Sequence, residues 1–221
     1  MAANLQRKQK QIAKKKAKRK AVVAAKKMVD KLGGMLSQTF FEKAPVFESL
    51  VREDLFETGI GTVVVARKMP NADLGIGFFL LDVYCLGVKD AFFATLTLQM
   101  YRQRLQEIEE NETMRIISPA CAKNLVEGCA DYANDLGFPH NSDYKKARKV
   151  FAGIKAEECM EDFEFGQNGK PFYVNGPFES PEKIRKVINQ LTKKLGPDGF
   201  HYLKQFEPFE DEEDEENEFK A

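Results

Sequence analysis

"GTVVVARKMPNADLGIGFFLLDVYCLGV", residues 61–88, decides how this chain folds. Its two halves are rich in β-branched and aromatic residues, which suit a pleated and largely buried surface. Between them stands Pro70-Asn71-Ala72-Asp73, a composition that reverses the chain rather than extending it. Two such runs around a short turn predict a β-hairpin. From Gly75 to Val88 almost every position is apolar, with Asp82 the exception. A strand with one solvated face would alternate, so this run predicts a central strand covered on both sides. At 14 residues it falls short of the roughly 20 needed to cross a bilayer.

Helical periodicity lies on either side. Phe47, Leu50, Val51 and Leu55 predict a helix within Pro45–Phe56. Leu98, Tyr101, Leu105 and Ile108 form a second stripe. Ser118-Pro119 is a capping residue followed by a first-turn proline. It opens a helix carrying Ala122, Leu125, Val126, Cys129, Ala133 and Leu136, which Gly137 closes. Ser142 or Asp143 caps a shorter helix with Tyr144, Ala147 and Phe151. "DFEFGQNGKPFYV", Asp162–Val174, places Asn168-Gly169 between two short alternating runs and predicts a second hairpin through a type I′ turn. There Phe163 or Phe165 would pair across the strands with Phe172 and Tyr173. Ser180-Pro181 starts a last helix with Ile184, Val187, Ile188, Leu191 and Leu195, and Gly196-Pro197 stops it. Strands and helices in this order predict an α+β fold: an antiparallel sheet built from two β-hairpins and covered by helices.

Charge divides the chain differently. Its 221 residues sum to a net charge of +0, yet residues 1–31 hold twelve Lys and Arg against Asp30 alone, a net of +11. Residues 207–221 hold nine Asp and Glu against Lys220, a net of −8. Three regions follow: a basic, helix-capable arm over 1–34 ended by Gly33-Gly34, a single α+β domain over 40–205, and an acidic tail over 206–221 read as disordered.

The arm carries the leading functional expectation. Arg7, Lys8, Lys10, Lys14, Lys15, Lys16, Lys18, Arg19, Lys20, Lys26 and Lys27 supply positive charge with hardly any apolar face between them. Such a segment neutralises phosphates and releases counterions without reading bases. Lysine outnumbers arginine and no aromatic stands among residues 1–39, which argues against bidentate base reading and against stacking. RNA or the ribosome is therefore the expected partner. A membrane is not, since the apolar face of an interfacial helix is missing. The tail, punctuated by Phe206, Phe209 and Phe219, offers contact with the chain's own arm or with a basic protein. An adaptor working through its opposite tails is a third reading.

Catalytic signals are weak. Asp82 inside an apolar run, followed by Lys89 and Asp90, is the one constellation for a hydrolase or nuclease, and a satisfied structural carboxylate explains it more simply. The glycines of "GIGT" and "GIGFF" open strands and form no phosphate-binding pattern. His140, His201 and Cys85, Cys121, Cys129 and Cys159 lack the short spacings of a zinc site, so neither metal nor cofactor is expected. Cysteines spread this way behave as small core residues in a reducing compartment. Together with the lack of a secretory h-region, since "AVVAA" spans only five residues, they predict a cytoplasmic protein.

"GFFLLDVYCLGVKDAFF" and "EFGQNGKPFYVNGP" resemble segments of a family of small uncharacterised bacterial proteins, several with Lys-rich N-termini. The resemblance spans roughly residues 55–200. It implies a bacterial, cytosolic setting and carries no activity to any residue.

Overall fold

The computed structural model describes residues 38–70, 72–140, 142–176 and 179–203, and the basic arm and acidic tail lie outside them. The chain runs through α1 (Gln38–Lys43), β1 (Val46–Arg52) and a single turn of helix, α2 (Leu55–Thr58). It then enters the hairpin of β2 (Ile60–Lys68) and β3 (Leu74–Asp82), paired antiparallel along their full length. A tight reversal leads into β4 (Gly87–Leu96) and α3 (Leu98–Glu109). β5 (Met114–Ile116), α4 (Pro119–Asp135) and α5 (Ser142–Ala147) follow, the last continued by a 3-10 turn at Arg148–Phe151. The five strands form one antiparallel sheet in the order β4-β3-β2-β1-β5. The fold is α+β, as the sequence predicts.

The hairpin is central and both of its faces are buried. On one side Val63, Val65, Phe79, Leu81 and Phe93 pack against Leu125, Val126 and Cys129 of α4 and Tyr144 and Ala147 of α5. On the other, Val64, Ala66, Ile76 and Phe78 meet Tyr101 and Leu105 of α3. Burial on both faces hides the two-residue period of a strand. It explains why Pro45–Phe56, expected to be helical, is instead β1 followed by α2. Leu50 and Val51 are adjacent in sequence and go to opposite faces, so their spacing imitates a helix. It also explains why the apolar run conceals the turn at residues 83–86 and the strand β4 beyond it. Gly87 makes that reversal possible: its φ is 69°, and a Cβ there would lie 2.4 Å from that of Ala133.

Local signals hold. The Ser118 hydroxyl accepts from the Cys121 N–H at 3.1 Å, and the Ser180 hydroxyl from the Lys183 N–H at 3.3 Å. Asn168 and Gly169 both take positive φ, and Gln167 pairs with Lys170 across them, the geometry of the expected turn. The second hairpin ends there. β6 (Phe172–Val174) pairs not with residues 163–165 but in parallel with β7 (His201–Leu203), and α6 (Pro181–Leu195) makes the crossover that a parallel pair requires. The expected aromatic pairing gives way accordingly: Phe163 stacks on Phe56, Phe165 on Tyr132, and Tyr173 on Tyr202. This β-α-β unit has its own small core, where Tyr173, Val187 and Leu191 cover Cys85 and Leu136.

One covalent feature runs against expectation. Cys121, in the first turn of α4, is bonded to Cys159, 38 residues on. Two of the four cysteines are therefore a crosslink rather than reduced core thiols, and the argument from cysteine usage to a reducing compartment fails at these positions. The bond holds the loosely structured segment between Ala152 and Pro171 against α4. Stacking of Phe163 and Phe165 fastens the same segment further along.

Candidate nucleic-acid interface

The cations expected to meet RNA, from Arg7 to Lys27, lie outside the described residues. Within the described residues, α6 gathers positive charge most clearly. Its apolar stripe of Ile184, Val187, Ile188 and Leu191 faces the small core. The opposite face exposes Arg185, Lys186, Asn189 and Lys193, with Lys194 exposed at its margin. Many exposed cations elsewhere sit in ion pairs: Arg102 with Glu48, Arg104 with Glu107, Arg115 with Glu161, Arg148 with Glu127. Among the described residues, Lys183 is the only cation of α6 that does, 2.7 Å from Glu179. The apolar half of this helix was legible in the sequence; the charges opposite it were equally legible from the same 3.6-residue period.

Asp82, Lys89 and Asp90 are brought to one end of the sheet in different environments. Asp82 is 7% exposed, and its Oδ1 accepts from the N–H groups of Cys85 at 2.9 Å and Tyr84 at 3.2 Å. It thereby closes the β3–β4 reversal. Burial pushes its pKa up, while the Lys89 ammonium and the turn amides pull the other way. Lys89 is the extra residue of a β-bulge, because Leu80 pairs with Asp90 and Leu81 with Val88. Asp90 is exposed, and its Oδ1 accepts from the Ala91 N–H at 2.9 Å. β4 is the outermost strand of the sheet, and a bulge with two charges is how natural sheets keep such an edge from pairing with another chain. A general acid or base must reach its substrate, whereas the carboxylate of Asp82 is turned onto its own turn.

Cys85 and Cys129 are free but buried, and burial, aided by the Asp82 charge, pushes both thiols well above their usual range. His140 lies edge-on to Tyr144, with ring centroids 4.6 Å apart, and burial pushes that phenol up to about 12. His201 opens β7 and is exposed. Among the described residues no group of three or more His, Cys, Asp or Glu side chains is arranged to hold a metal ion. Nor is any helix there long and apolar enough to cross a membrane.

No family model matches this chain, and neither a curated protein nor a solved structure matches it. The resemblance drawn from the hairpin segments rests on those segments alone.

Proposed function

We propose that this protein binds RNA without sequence preference, ribosomal RNA in particular, through the Lys-rich segment at its N-terminus. One observation carries the reading: twelve cations against a single acid within residues 1–31, on a chain whose total charge is +0. A segment so charged, without aromatics, attracts the phosphate backbone and leaves the bases unread. Contact of about six of these cations with phosphates makes affinity fall ~10³-fold between 50 and 200 mM salt.

The test compares the natural chain with one in which Lys14, Lys15, Lys16, Lys18, Arg19 and Lys20 are all replaced by Gln. Both are measured against a fluorescent oligouridylate and against ribosomes by co-sedimentation. Binding that is steeply salt-dependent and lost in the variant supports the reading; equal binding by both proteins ends it.

A cytoplasmic location belongs to the same proposal and has its own readout. Ribosomes work where thiols are kept reduced, so the Cys121–Cys159 pair should be a dithiol in growing cells and close on exposure to oxidant. Alkylation of thiols at the moment of lysis reads its state. A pair found wholly oxidised in growing cells places the protein elsewhere.

A further inference from the structure

We infer that the exposed face of α6 is a second RNA-contacting surface, built into the folded body and acting beside the N-terminal segment. The inference rests on the RNA reading above and extends it to residues that reading does not use.

The first reason is charge. Residues 32–206 carry a net of −3, but α6 alone carries five cations against Glu182. Arg185, Lys186, Lys193 and Lys194 are exposed and take no ion pair among the described residues, in contrast with many exposed cations of the body. The second reason is placement. Arg185, Asn189 and Lys193 follow one another at four-residue steps, and Lys186 lies seven residues before Lys193, so the group shares one side of the helix. At 1.5 Å per residue it runs for about 12 Å, a strip that tracks a strand of phosphates rather than one anion. The third reason is that the helix dipole does not account for it. Lys193 and Lys194, in the last turn, do suit the negative end of the helix dipole. Arg185 and Lys186, fifth and sixth from the start, gain nothing from either end.

The face is also firmly held. The opposite stripe is buried through Val187 and Leu191, the Ser180 hydroxyl caps the helix, and the Gln190 amide donates to the Leu136 carbonyl at 3.0 Å. A rigid strip on the same chain as a charged segment makes binding bivalent, the second contact forming at high effective concentration once the first is made.

The experiment measures oligouridylate binding by anisotropy across a salt series, using four full-length proteins. These are the natural chain, the six-fold Gln variant of the N-terminal segment, a variant with Arg185, Lys186, Lys193 and Lys194 all replaced by Gln, and a charge-matched control. The control replaces Arg102, Arg104, Lys145 and Lys155 by Gln, removing the same number of exposed cations from other faces. Glutamine suits a helix, so the stability of the α6 variant in thermal melting should fall by no more than the dipole contribution of Lys193 and Lys194. The expected result is a salt slope shallower by about 2–3 in the α6 variant and a Kd raised at least about tenfold at 50 mM salt, with the control within about twofold of the natural chain. An α6 variant indistinguishable from the control overturns the inference while leaving the N-terminal reading standing. Loss in the α6 variant with none in the N-terminal variant does the reverse. A natural chain that fails to bind at 50 mM salt overturns both.

Discussion

Arg67 donates from Nε to the carbonyl oxygen of Val150, 83 residues further along the chain, at 2.8 Å. The rest of its guanidinium is used in the same way: one terminal nitrogen donates to the Ala44 carbonyl, and the other to that of Ala152 at 2.6 Å. The residue is 4% exposed and has no carboxylate partner among the described residues. Ala44 and Ala152 follow two helix ends, α1 and the 3-10 turn at Arg148–Phe151, and Val150 lies within the latter, where carbonyls lack intrahelical donors and the dipole is negative. A buried charge is thus balanced by backbone alone. Burial lowers its pKa, and a guanidinium in a protein keeps its proton at neutral pH.

Replacing Arg67 should be among the most damaging single changes in the sheet. Arg67→Met removes the charge but leaves three buried carbonyls without donors, at a cost of about 3–5 kcal/mol. Arg67→Lys keeps the charge without the planar fork and should cost about half as much. Urea denaturation reads both. Equal stability of the methionine variant and the natural chain would show that water serves these carbonyls as well as Arg67 does.

Asp82 should reveal itself through pH. Its folded-state pKa is raised, mainly by burial, so between the unfolded value and the folded one the native state holds the proton more tightly. Its contribution to stability is therefore fully present below pH ~3.9 and is lost as pH rises through the folded pKa. Asp82→Asn keeps an oxygen for the Tyr84 and Cys85 amides and never ionises, so it should be at least as stable as the natural chain at pH 7. Asp82→Ala removes the acceptor and should cost about 1–3 kcal/mol. Stability curves from pH 3 to 8 check both. A loss in the asparagine variant as large as in alanine would mean that the charge itself is needed.

What the sequence made legible was local. The Ser118 and Ser180 caps, the Asn168-Gly169 turn and the β2–β3 hairpin depend on residues a few positions apart, and each forms. What stayed hidden was settled by distant partners. β1 imitates a helix because β2 and β5 flank it and helices cover both its faces. β4 disappears into an apolar run because its turn is made by Asp82 and Gly87 rather than by a polar cluster. β6 takes its partner from beyond α6, a choice made by the core around Tyr173 rather than by the turn before it. Nothing in a spacing of 38 residues announces that Cys121 and Cys159 meet. The Asp82–Lys89–Asp90 group was visible as residues, but its meaning depends on β4 being an edge.

The crosslink gives a chemical count. In the oxidised protein, non-reducing denaturation should expose the thiols of Cys85 and Cys129 alone, and prior reduction should expose those of Cys121 and Cys159 as well. Closing a loop of 38 residues is worth about 4 kcal/mol in the chain-entropy account, so the Cys121→Ser, Cys159→Ser double variant should unfold at distinctly lower urea. An unchanged midpoint would mean that Phe163 and Phe165 hold the segment without the bond.

Glu179 should behave opposite to Asp82 as pH falls. Burial alone would raise its pKa, but bonds from Lys183 and Tyr173 and the Gly176 amide outweigh it and the net shift is downward. The Tyr173 hydroxyl donates to Oε2 at 2.6 Å, and the Lys183 ammonium lies 2.7 Å from Oε1. Its contribution is therefore present above the unfolded pKa of ~4.3 and is lost as pH falls through the folded one. Tyr173 is wholly buried and lies in the small core beneath α6, so Glu179→Ala strands its hydroxyl, at about 1–3 kcal/mol. Glu179→Gln, which still accepts, should recover much of that. Amide exchange should place the loss in β6, α6 and β7, with the hairpin of β2 and β3 unaffected. Because α6 is held in place partly through this bond, the alanine variant should also weaken oligouridylate binding at neutral pH, although no cation has been removed. Binding unchanged alongside faster exchange in α6 would show that the basic face works without a fixed helix beneath it.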